Sequence, residues 1–342
     1  MTDMPAGRLL SGSESMFRAS RELWSEQPVD QDFWDEPGPG YAPGRMTVAA
    51  PVSVAGPGTF LGKAHRTIVF EPSPLPGWWL DRSDLDESLP IPVSVHNVWN
   101  AHRNIVLHCG SPHNYLRMVE HIVALKAGLG LDDIVIRTDS GDPPLFERGS
   151  MDLVEAVEKT GIVPSRDKPA TVVTVTEPVS IVNHQGAFLT FIPAAPGDPR
   201  LRIDCAVDFR SAIGRQRIRF VLNRDIFRHG ALARTNCPLS AMIYARTIGK
   251  IFADVRNLGY NSGNILIVGP RRYYNEPRLV HNGKALEAVW HRACLDLLAA
   301  VALINRARFA GTIVSYKSGH VLDCRMIALL YKHNLLKKME LS

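Results

Sequence analysis

The order of the secondary-structure signals constrains the fold most, because strand patterns precede helix patterns in each of two successive stretches of chain. From Met46 onward, alternating apolar and polar residues predict short strands, and the first strong helical spacing comes at 118–125. The second stretch repeats this plan, with strand patterns between 170 and 222 followed by helices. Strands grouped before helices are typical of α+β folds rather than of a parallel βαβ succession. We therefore predict two α+β two-layer domains, residues 46–165 and 166–342, related by an apparent duplication.

Residues 1–45 differ in character from the rest of the chain. They hold eight acidic and four basic residues, carry the sequence PGPGYAPG near their end, and begin without a signal-peptide pattern. Such a composition predicts an acidic arm outside the two domains. Trp24, Phe33 and Trp34 are large and apolar, and we expect them to dock the arm onto the body.

Overall composition excludes several classes of protein. A hydrophobic fraction of 45% can build a core, so the chain is neither collagen-like nor fully disordered. The five cysteines are widely spaced without a C-x-x-C pair, which favours a reducing, cytoplasmic compartment and argues against a structural zinc ribbon. No apolar run is long enough to predict a membrane span. The net charge is +5, and the body without the acidic arm is more basic still, which suits an anionic ligand.

Glu120 and His121 are adjacent on the first predicted helix and interrupt its apolar stripe. A carboxylate beside an imidazole can serve a hydrolytic metal site, one side chain binding the metal and the other taking a proton from water. A single Glu-His pair on a helix is more often a structural or solvated feature, so its surroundings decide the interpretation.

Those surroundings resemble a known family in several places. The string MVEHIVALKAGLGLDDIVI resembles the first motif of the UDP-3-O-acyl-N-acetylglucosamine deacetylases, the zinc enzymes of lipid A synthesis. Four further strings resemble other segments of that family, in the same order from about Met46 to the C-terminus: TVAAPVSVAGPGTFLGKAHRTIVFEPSP, LRIDCAVDFRSAI, YARTIGKIFADVRNLG and GTIVSYKSGHVLD. Several motifs in the right order indicate membership of the family more strongly than any one of them.

The resemblance implies a fold and a reaction. Helices of the two domains would pack at a central cleft, where a zinc ion serves hydrolysis of the N-acetyl amide of a UDP-linked, acylated aminosugar. His121 would be the first zinc ligand and Glu120 the general base. Thr247 would help to hold the oxyanion. Lys317 and His320 would supply positive charge at the tetrahedral intermediate and the acid for the leaving amine.

The sequence departs from the family at the second metal-binding motif, which reads AVWHRACLDLLAAVA. Arg292 stands four residues before Asp296, where the family has a ligand histidine, and His291 stands five residues before it. Residues at i and i+5 of an α-helix point about 140° apart. A π-bulge between His291 and Asp296 would bring them to one face and complete the zinc site.

An alternative accounts for the same residues without metal. Arg292 lies on the same helical face as Asp296, so the two could form a salt bridge in the place of the ion, because buried charges are paired or bind metals. Ala300 also replaces a family carboxylate that would orient His320. The alternative is therefore a non-catalytic member that retains a sugar-nucleotide or acyl-binding scaffold.

Two arginine-containing segments complete the candidates. The strand RQRIRF places Arg217 and Arg219 on one face, which predicts a solvated sheet face. Arginines and tyrosines in RRYYNEPR, 271–278, could stack on or neutralise a nucleotide. No RNA- or DNA-binding motif accompanies them, so we expect no nucleic-acid partner and a UDP-linked substrate instead.

Overall fold

Strands precede helices in both halves of the chain, which confirms the predicted α+β class. The structure, a computed structural model, describes residues 4–36, 38, 40–58, 65–144, 146–246 and 261–340, leaving aside the side chains at 166, 167 and 244–246. The helices are α1 Glu14–Ser25, α2 Glu120–Leu129, α3 Met151–Thr160, α4 Arg224–Ala231, α5 Leu239–Arg246, α6 Glu287–His291, a π-helical turn Arg292–Leu297, α7 Leu298–Ala302 and α8 His320–Lys332, with a 3-10 turn at Val95–Asn97. The strands of the first half and the arm are β1 Arg8–Ser11, β2 Gln31–Phe33, β3 Gly44–Val48, β4 Val52–Pro57, β5 His65–Pro72, β6 Trp78–Arg82, β7 Ile91–Pro92, β8 Val98–Asn100, β9 Val106–His108, β10 Tyr115–Leu116, β11 Ile134–Thr138 and β12 Ile162–Pro169. Those of the second half are β13 Val172–Val175, β14 Val179–Val182, β15 Phe188–Pro193, β16 Leu201–Asp208, β17 Arg215–Val221, β18 Thr235–Pro238, β19 Ile265–Val268, β20 Val280–His281, β21 Lys284–Ala285, β22 Arg308–Phe309, β23 Gly311–Tyr316 and β24 Leu336–Lys338.

A five-stranded sheet in the order β4-β5-β11-β6-β7 organises the first half. Helix α2 ends where Gly130 takes φ 67°, a left-handed conformation that glycine adopts without strain. Gly128 instead allows a close contact between two helices. It lies inside α2 against the ring of Phe227 on α4. A Cβ at residue 128 would come within 2.2 Å of that ring. Close packing of α2 on α4, rather than helix termination, requires this glycine.

A seven-stranded sheet in the order β1-β14-β15-β23-β16-β17-β2 organises the second half. Successive side chains of a strand point to opposite faces, and β16 shows the consequence. Ile203 and Cys205 join the main core, whereas Ala206 belongs to a second apolar cluster with Val314. The sheet is therefore covered on both faces, which its strand patterns alone do not reveal.

The acidic arm supplies the second cover. Strand β1 pairs in parallel with β14 at one edge of the sheet, and β2 pairs in parallel with β17 at the other. Between them α1 lies on the sheet and buries Phe17 and Trp24, with the ring of Phe17 edge-on to Phe188 at 5.4 Å. The docking expected of the aromatic residues is confirmed, and two short strands of the arm form the outer edges of the sheet.

The predicted solvated face of β17 is wrong, because the arm covers it. Arg217 is 3% exposed and forms an ion pair with the fully buried Asp204. Its guanidinium also lies 4.1 Å from the ring centroid of Trp24. Arg219 lies under the ring of Trp34 at 4.6 Å. Alternation within the strand is as predicted, but the face is an internal contact rather than a solvated surface.

Helices of the two halves pack against each other between the sheets. Helix α2 contacts α7 and the π-helical turn, α3 contacts α4, and residues of both halves share one continuous apolar core. This arrangement agrees with the expected central helical layer, while the duplication remains a prediction. In the part of the chain that the structure describes, no helix is long and apolar enough to cross a membrane.

Candidate active site

Glu120 opens α2 and points into the protein. Its side chain is 6% exposed, and Oε2 accepts a hydrogen bond of 3.0 Å from the backbone N–H of Ile105. Oε1 lies 3.8 Å from Nε2 of His320, the first residue of α8. Burial raises the pKa of Glu120, although His320 opposes the rise. The carboxyl group is thus a buried proton acceptor at the N-terminus of α2, beside the first residue of α8.

His121 follows at the inner surface, tied to α3. Its Nδ1 lies 3.3 Å from the hydroxyl of Ser150, which donates to the backbone carbonyl of His121 at 2.9 Å. Burial lowers the pKa of His121 to about 3, and the neighbouring His291 adds to the effect. The imidazole is therefore neutral near pH 7. Ser150 directly precedes α3, but its hydroxyl bonds His121 instead of capping the helix.

The distorted turn that would bring His291 and Asp296 to one face is present. Residues Arg292–Leu297 form a π-helical turn, in which i and i+5 replace i and i+4 as hydrogen-bonding neighbours. Nδ1 of His291 lies 3.5 Å from Oδ2 of Asp296, and the rings of His121 and His291 are 5.2 Å apart. The bulge of the first alternative is thus present, and His291 lies close to Asp296 on one side and to His121 on the other.

A threonine that the sequence interpretation missed lies between the two imidazoles. The hydroxyl of Thr235, at the start of β18, is 2.9 Å from Nε2 of His291 and 3.4 Å from Nε2 of His121. Thr247, the predicted oxyanion residue, lies outside the described residues. The triplet Ala-Arg-Thr occurs twice, at 233–235 and 245–247. The oxyanion role is predicted for the second copy because the Ile and Gly that follow it resemble the family motif. The first copy follows a short amphipathic helix, which is the signal that could have drawn attention to it.

Thr235 and His291 are held together by a buried ion pair. Arg234 donates through Nε to Oε1 of Glu287 at 2.7 Å, and both side chains are nearly inaccessible. Arg234 precedes Thr235 in the chain, and Glu287 lies one helical turn before His291. The pair fixes β18 against α6, and Arg234 also reaches the carbonyls of Ser262 and Glu276.

His320 lies between two carboxylates. Its Nε2 is 3.7 Å from Oδ1 of Asp296, close to the distance of 3.8 Å that separates it from Glu120. Burial alone would lower the pKa of His320, but Asp296 and then Glu120 outweigh it, and the pKa is raised. Burial would raise the pKa of Asp296, but His291 and His320 lower it. Asp296 therefore carries the negative charge of the group.

Lys317 and Arg292 lie elsewhere than expected. Lys317 is exposed, and its ammonium lies 5.6 Å from the ring centroid of Tyr316, on the face that the arm covers. Arg292 is buried and donates through Nη2 to Asp323 at 2.6 Å and to Ser318 at 2.7 Å. Nη1 is 3.8 Å from Asp296, so the predicted pairing is a secondary contact and the chief partner, Asp323 of α8, was missed.

Several polar atoms around these residues are buried without hydrogen bonds to other described residues. They are Oδ1 of Asp296, Nδ1 of His320, Oδ2 of Asp323, and Nε and Nη1 of Arg292. Buried polar atoms in folded proteins are usually satisfied, so such a concentration marks a place where water, an ion or a ligand is expected. A narrow cavity of about 30 Å³, lined by His121, Thr235 and apolar residues such as Phe146 and Ile265, opens beside it.

His121, His291 and Asp296 have the side-chain types that bind metal ions. Two imidazoles and a carboxylate suit zinc, and the Nε2 atoms of His121 and His291 already face one point, the hydroxyl of Thr235. Asp296 instead faces Nδ1 of His291. Among the described residues, no group of three or more His, Cys, Asp or Glu side chains stands ready to hold a metal ion. The donor types fit zinc, although Asp296 does not face the point that the two Nε2 atoms share.

Comparison with known proteins shows the family of this chain. A profile of the UDP-3-O-acyl N-acetylglycosamine deacetylase family matches residues 45–332, so the docked arm lies almost wholly outside the match. The UDP-3-O-acyl-N-acetylglucosamine deacetylase of Trichormus variabilis is 28% identical over 289 residues, which are 82% of this chain and 95% of that protein. Its namesake from Thermosynechococcus vestitus is 30% identical over 212 residues, 62% of this chain and 68% of that protein. The Brucella ovis protein of the same name is 24% identical over 294 residues, 84% and 94% of the two chains. The chain therefore belongs to the UDP-3-O-acyl N-acetylglycosamine deacetylase family.

Proposed function

We propose that this protein is a zinc-dependent deacetylase that hydrolyses the N-acetyl amide of a UDP-linked, acylated N-acetylglucosamine of the lipid A type. The observation that carries the proposal is the π-helical turn Arg292–Leu297, because it offsets the extra residue between His291 and Asp296. His121, His291 and Asp296 would hold the ion. Zinc bound there would supply the Lewis acidity that makes water nucleophilic and polarises the amide carbonyl.

The protein's own residues divide the remaining work. Glu120 takes a proton from the attacking water while the water oxygen bonds to the acetyl carbon. The hydroxyl of Thr235 donates a hydrogen bond to the developing oxyanion. His320 gives a proton to the amine nitrogen as the carbon–nitrogen bond breaks, so acetate and the free amine leave. Lys317 lies outside this group of residues, so we give it no role in the reaction, and Thr247 is the alternative oxyanion donor that the sequence motif suggests.

Metal content and acetate release test the proposal together. Purified protein supplied with zinc should hold about one tightly bound ion per chain and release acetate from UDP-3-O-acyl-N-acetylglucosamine. His121→Ala should lose both the zinc and the acetate release, whereas His96→Ala, which alters a histidine packed on Tyr331 outside the site, should lose neither. Folded wild-type protein that takes up no zinc and releases no acetate would refute the proposal.

The two threonines can be told apart by a matched pair of variants. Thr235→Val removes the hydroxyl that faces the two imidazoles and should reduce acetate release by about a hundredfold while zinc stays bound, the size of effect found for single oxyanion donors. Thr247→Val is the matched variant at the second Ala-Arg-Thr triplet. A larger loss in Thr247→Val than in Thr235→Val would return the oxyanion role to Thr247.

A second candidate function is that of a non-catalytic scaffold that binds the sugar nucleotide or acyl group. Two observations favour it: no ready group of three metal donors exists among the described residues, and Arg292 places a buried cation beside Asp296. Asp296→Ala separates the candidates. Loss of zinc with little change in the free energy of unfolding supports the enzyme, whereas a metal-free protein that becomes less stable supports the scaffold.

A further inference from the structure

A second cavity, of about 260 Å³, lies at the opposite ends of the helices that carry the candidate active site. Its walls come from the last turn of α2, the end of α7, and the segment 307–309. The segment 40–43 closes one side, just before the point where the family match begins at residue 45. Part of this cavity is thus built by chain that the family profile does not cover.

The cavity wall is mainly apolar. Ala127 lies on it as a half-buried residue of α2, opposite Val301 of α7, and Val172, Leu201 and Phe309 continue the apolar surface. Ligand sites in proteins are concave and mostly apolar, with a few polar groups that set orientation. A cavity of this size can take a hydrocarbon chain of moderate length, whose burial there would remove apolar surface from water.

The ionisable side chains of the wall with cationic forms are Lys126, Arg200 and Arg308. No Asp or Glu occurs among the described lining residues, so any charge that the wall carries is positive. Arg308 is fully engaged, because it bonds Asp132 and three backbone carbonyls. Lys126 donates to the carbonyls of Ala302 and Ile304.

Arg200 is the cation best placed to receive a ligand. Its side chain is 41% exposed. Nε and Nη2 donate to Asp198, which lies outside the cavity wall, and Nη1 makes no hydrogen bond to the described residues. Arg202 contacts the same Asp198 at 2.8 Å but does not line the cavity. The two arginines therefore share one carboxylate and differ in their access to the cavity.

We propose that this cavity is an accessory binding site for a linear amphiphile with an anionic head, of the chemical class of a medium-chain fatty acid. The chain lies against Ala127, Val301 and Phe309, and the carboxylate pairs with Arg200 at the opening. The hydrocarbon chain fits the apolar wall, and the carboxylate complements the charge of the lining. The site is separate from the catalytic residues, so it does not depend on the proposed reaction.

Calorimetric titration of the full chain with dodecanoate, below its micellar concentration, tests this site. We expect one molecule bound per chain. Ala127→Phe fills the cavity and should weaken binding at least tenfold, and Arg200→Gln should weaken it threefold or more. Arg202→Gln, the matched control, should bind within twofold of wild type, and dodecanol should bind more weakly than dodecanoate because it lacks the charge.

Three outcomes would overturn the proposal. The first is equal weakening in Arg200→Gln and Arg202→Gln, which would remove the role of the cavity cation. The second is wild-type affinity in folded Ala127→Phe, as judged by its thermal transition. The third is loss of dodecanoate binding in His121→Ala, since the ligand would then occupy the candidate active site. If Ala127→Phe does not fold, the arginine pair and His121→Ala still decide the question.

Discussion

Two buried arginine–aspartate pairs lie on opposite faces of the seven-stranded sheet. On the face that the arm covers, all three nitrogens of the Arg217 guanidinium donate hydrogen bonds. Nε and Nη2 donate to Asp204, and Nη1 donates to the carbonyls of Trp24 and Gln27. On the inner face, Arg292 donates through Nη2 alone, to Asp323 and Ser318. The same two residue types thus form a saturated pair at Arg217–Asp204, where every guanidinium nitrogen donates a hydrogen bond, and an unsaturated pair at Arg292–Asp323, where only one does.

The difference separates a structural role from a functional one. A buried charge is costly unless its partners satisfy it, and the arm supplies those partners to Arg217 from its own backbone. Around Arg292 the unsatisfied atoms adjoin Asp296 and His320, which belong to the candidate active site. Proteins tolerate such unsatisfied groups mainly where a ligand, an ion or a reaction makes use of them.

The saturated pair should give the largest loss of stability. Arg217→Met leaves the carboxylate of Asp204 buried without its cation, and breaking a buried pair in this way costs about 3–5 kcal/mol. Denaturant unfolding measures the change, with Arg215→Gln as the control because the Arg215–Asp208 pair is half exposed. Similar losses in the two variants would show that the arm does not seal this face.

The second largest effect on stability should come from the ring of Trp24, which covers the Arg217–Asp204 pair. Trp24→Ala removes the buried ring over Arg217 and should lower the free energy of unfolding by about 3 kcal/mol. Limited proteolysis should then cut within residues 4–36 before it cuts the body. Leu23→Ala, which alters an exposed neighbour on α1, should leave both measurements near wild type. An arm as protease-resistant in Trp24→Ala as in wild type would contradict the docking role of this ring.

The unsaturated pair should give a smaller loss of stability and a larger loss of function. Arg292→Met should cost about 1–3 kcal/mol, because Asp323 loses one partner while its burial already raises its pKa. Acetate release should fall at least tenfold, since Arg292 also contacts Asp296. A stability loss equal to that of Arg217→Met, with unchanged acetate release, would erase the distinction between the two faces.

The smallest expected effect is a pH dependence of the free energy of unfolding that comes from Lys126. Burial lowers the pKa of Lys126 to about 7 from 10.5, although Asp132 opposes the change. Between these values the unfolded chain binds the proton and the folded chain does not, so stability rises with pH. From pH 7 to 8, wild type should gain about 1 kcal/mol over Lys126→Met.

The matched control for this pH effect is Lys332→Met, which alters an exposed lysine of α8. It should follow wild type at both pH values in the same unfolding experiment. If Lys126→Met also follows wild type, the ammonium of Lys126 keeps its proton throughout and its burial is better compensated than we infer.

Local signals predicted much of the fold. Apolar periodicity identified α2 and the alternation of β17. The spacing of His291 and Asp296 indicated the π-helical turn as one of two alternatives, the other being a salt bridge of Arg292 with Asp296 in the place of the ion. Thr235 escaped prediction since its neighbours in the site come from α2 and α6, more than fifty residues away in either direction.

The sequence by itself determined the α+β class, the family and the pair Glu120 and His121, because periodicity and ordered motifs are properties of neighbouring residues. Only the tertiary structure decided which charged side chains are buried and which residues they pair with. Arg217 is internal because a segment almost two hundred residues earlier covers it, and Arg292 pairs with Asp323 because α8 brings that carboxylate alongside. Burial and pairing depend on contacts between distant segments, and such contacts arise only when the chain has folded.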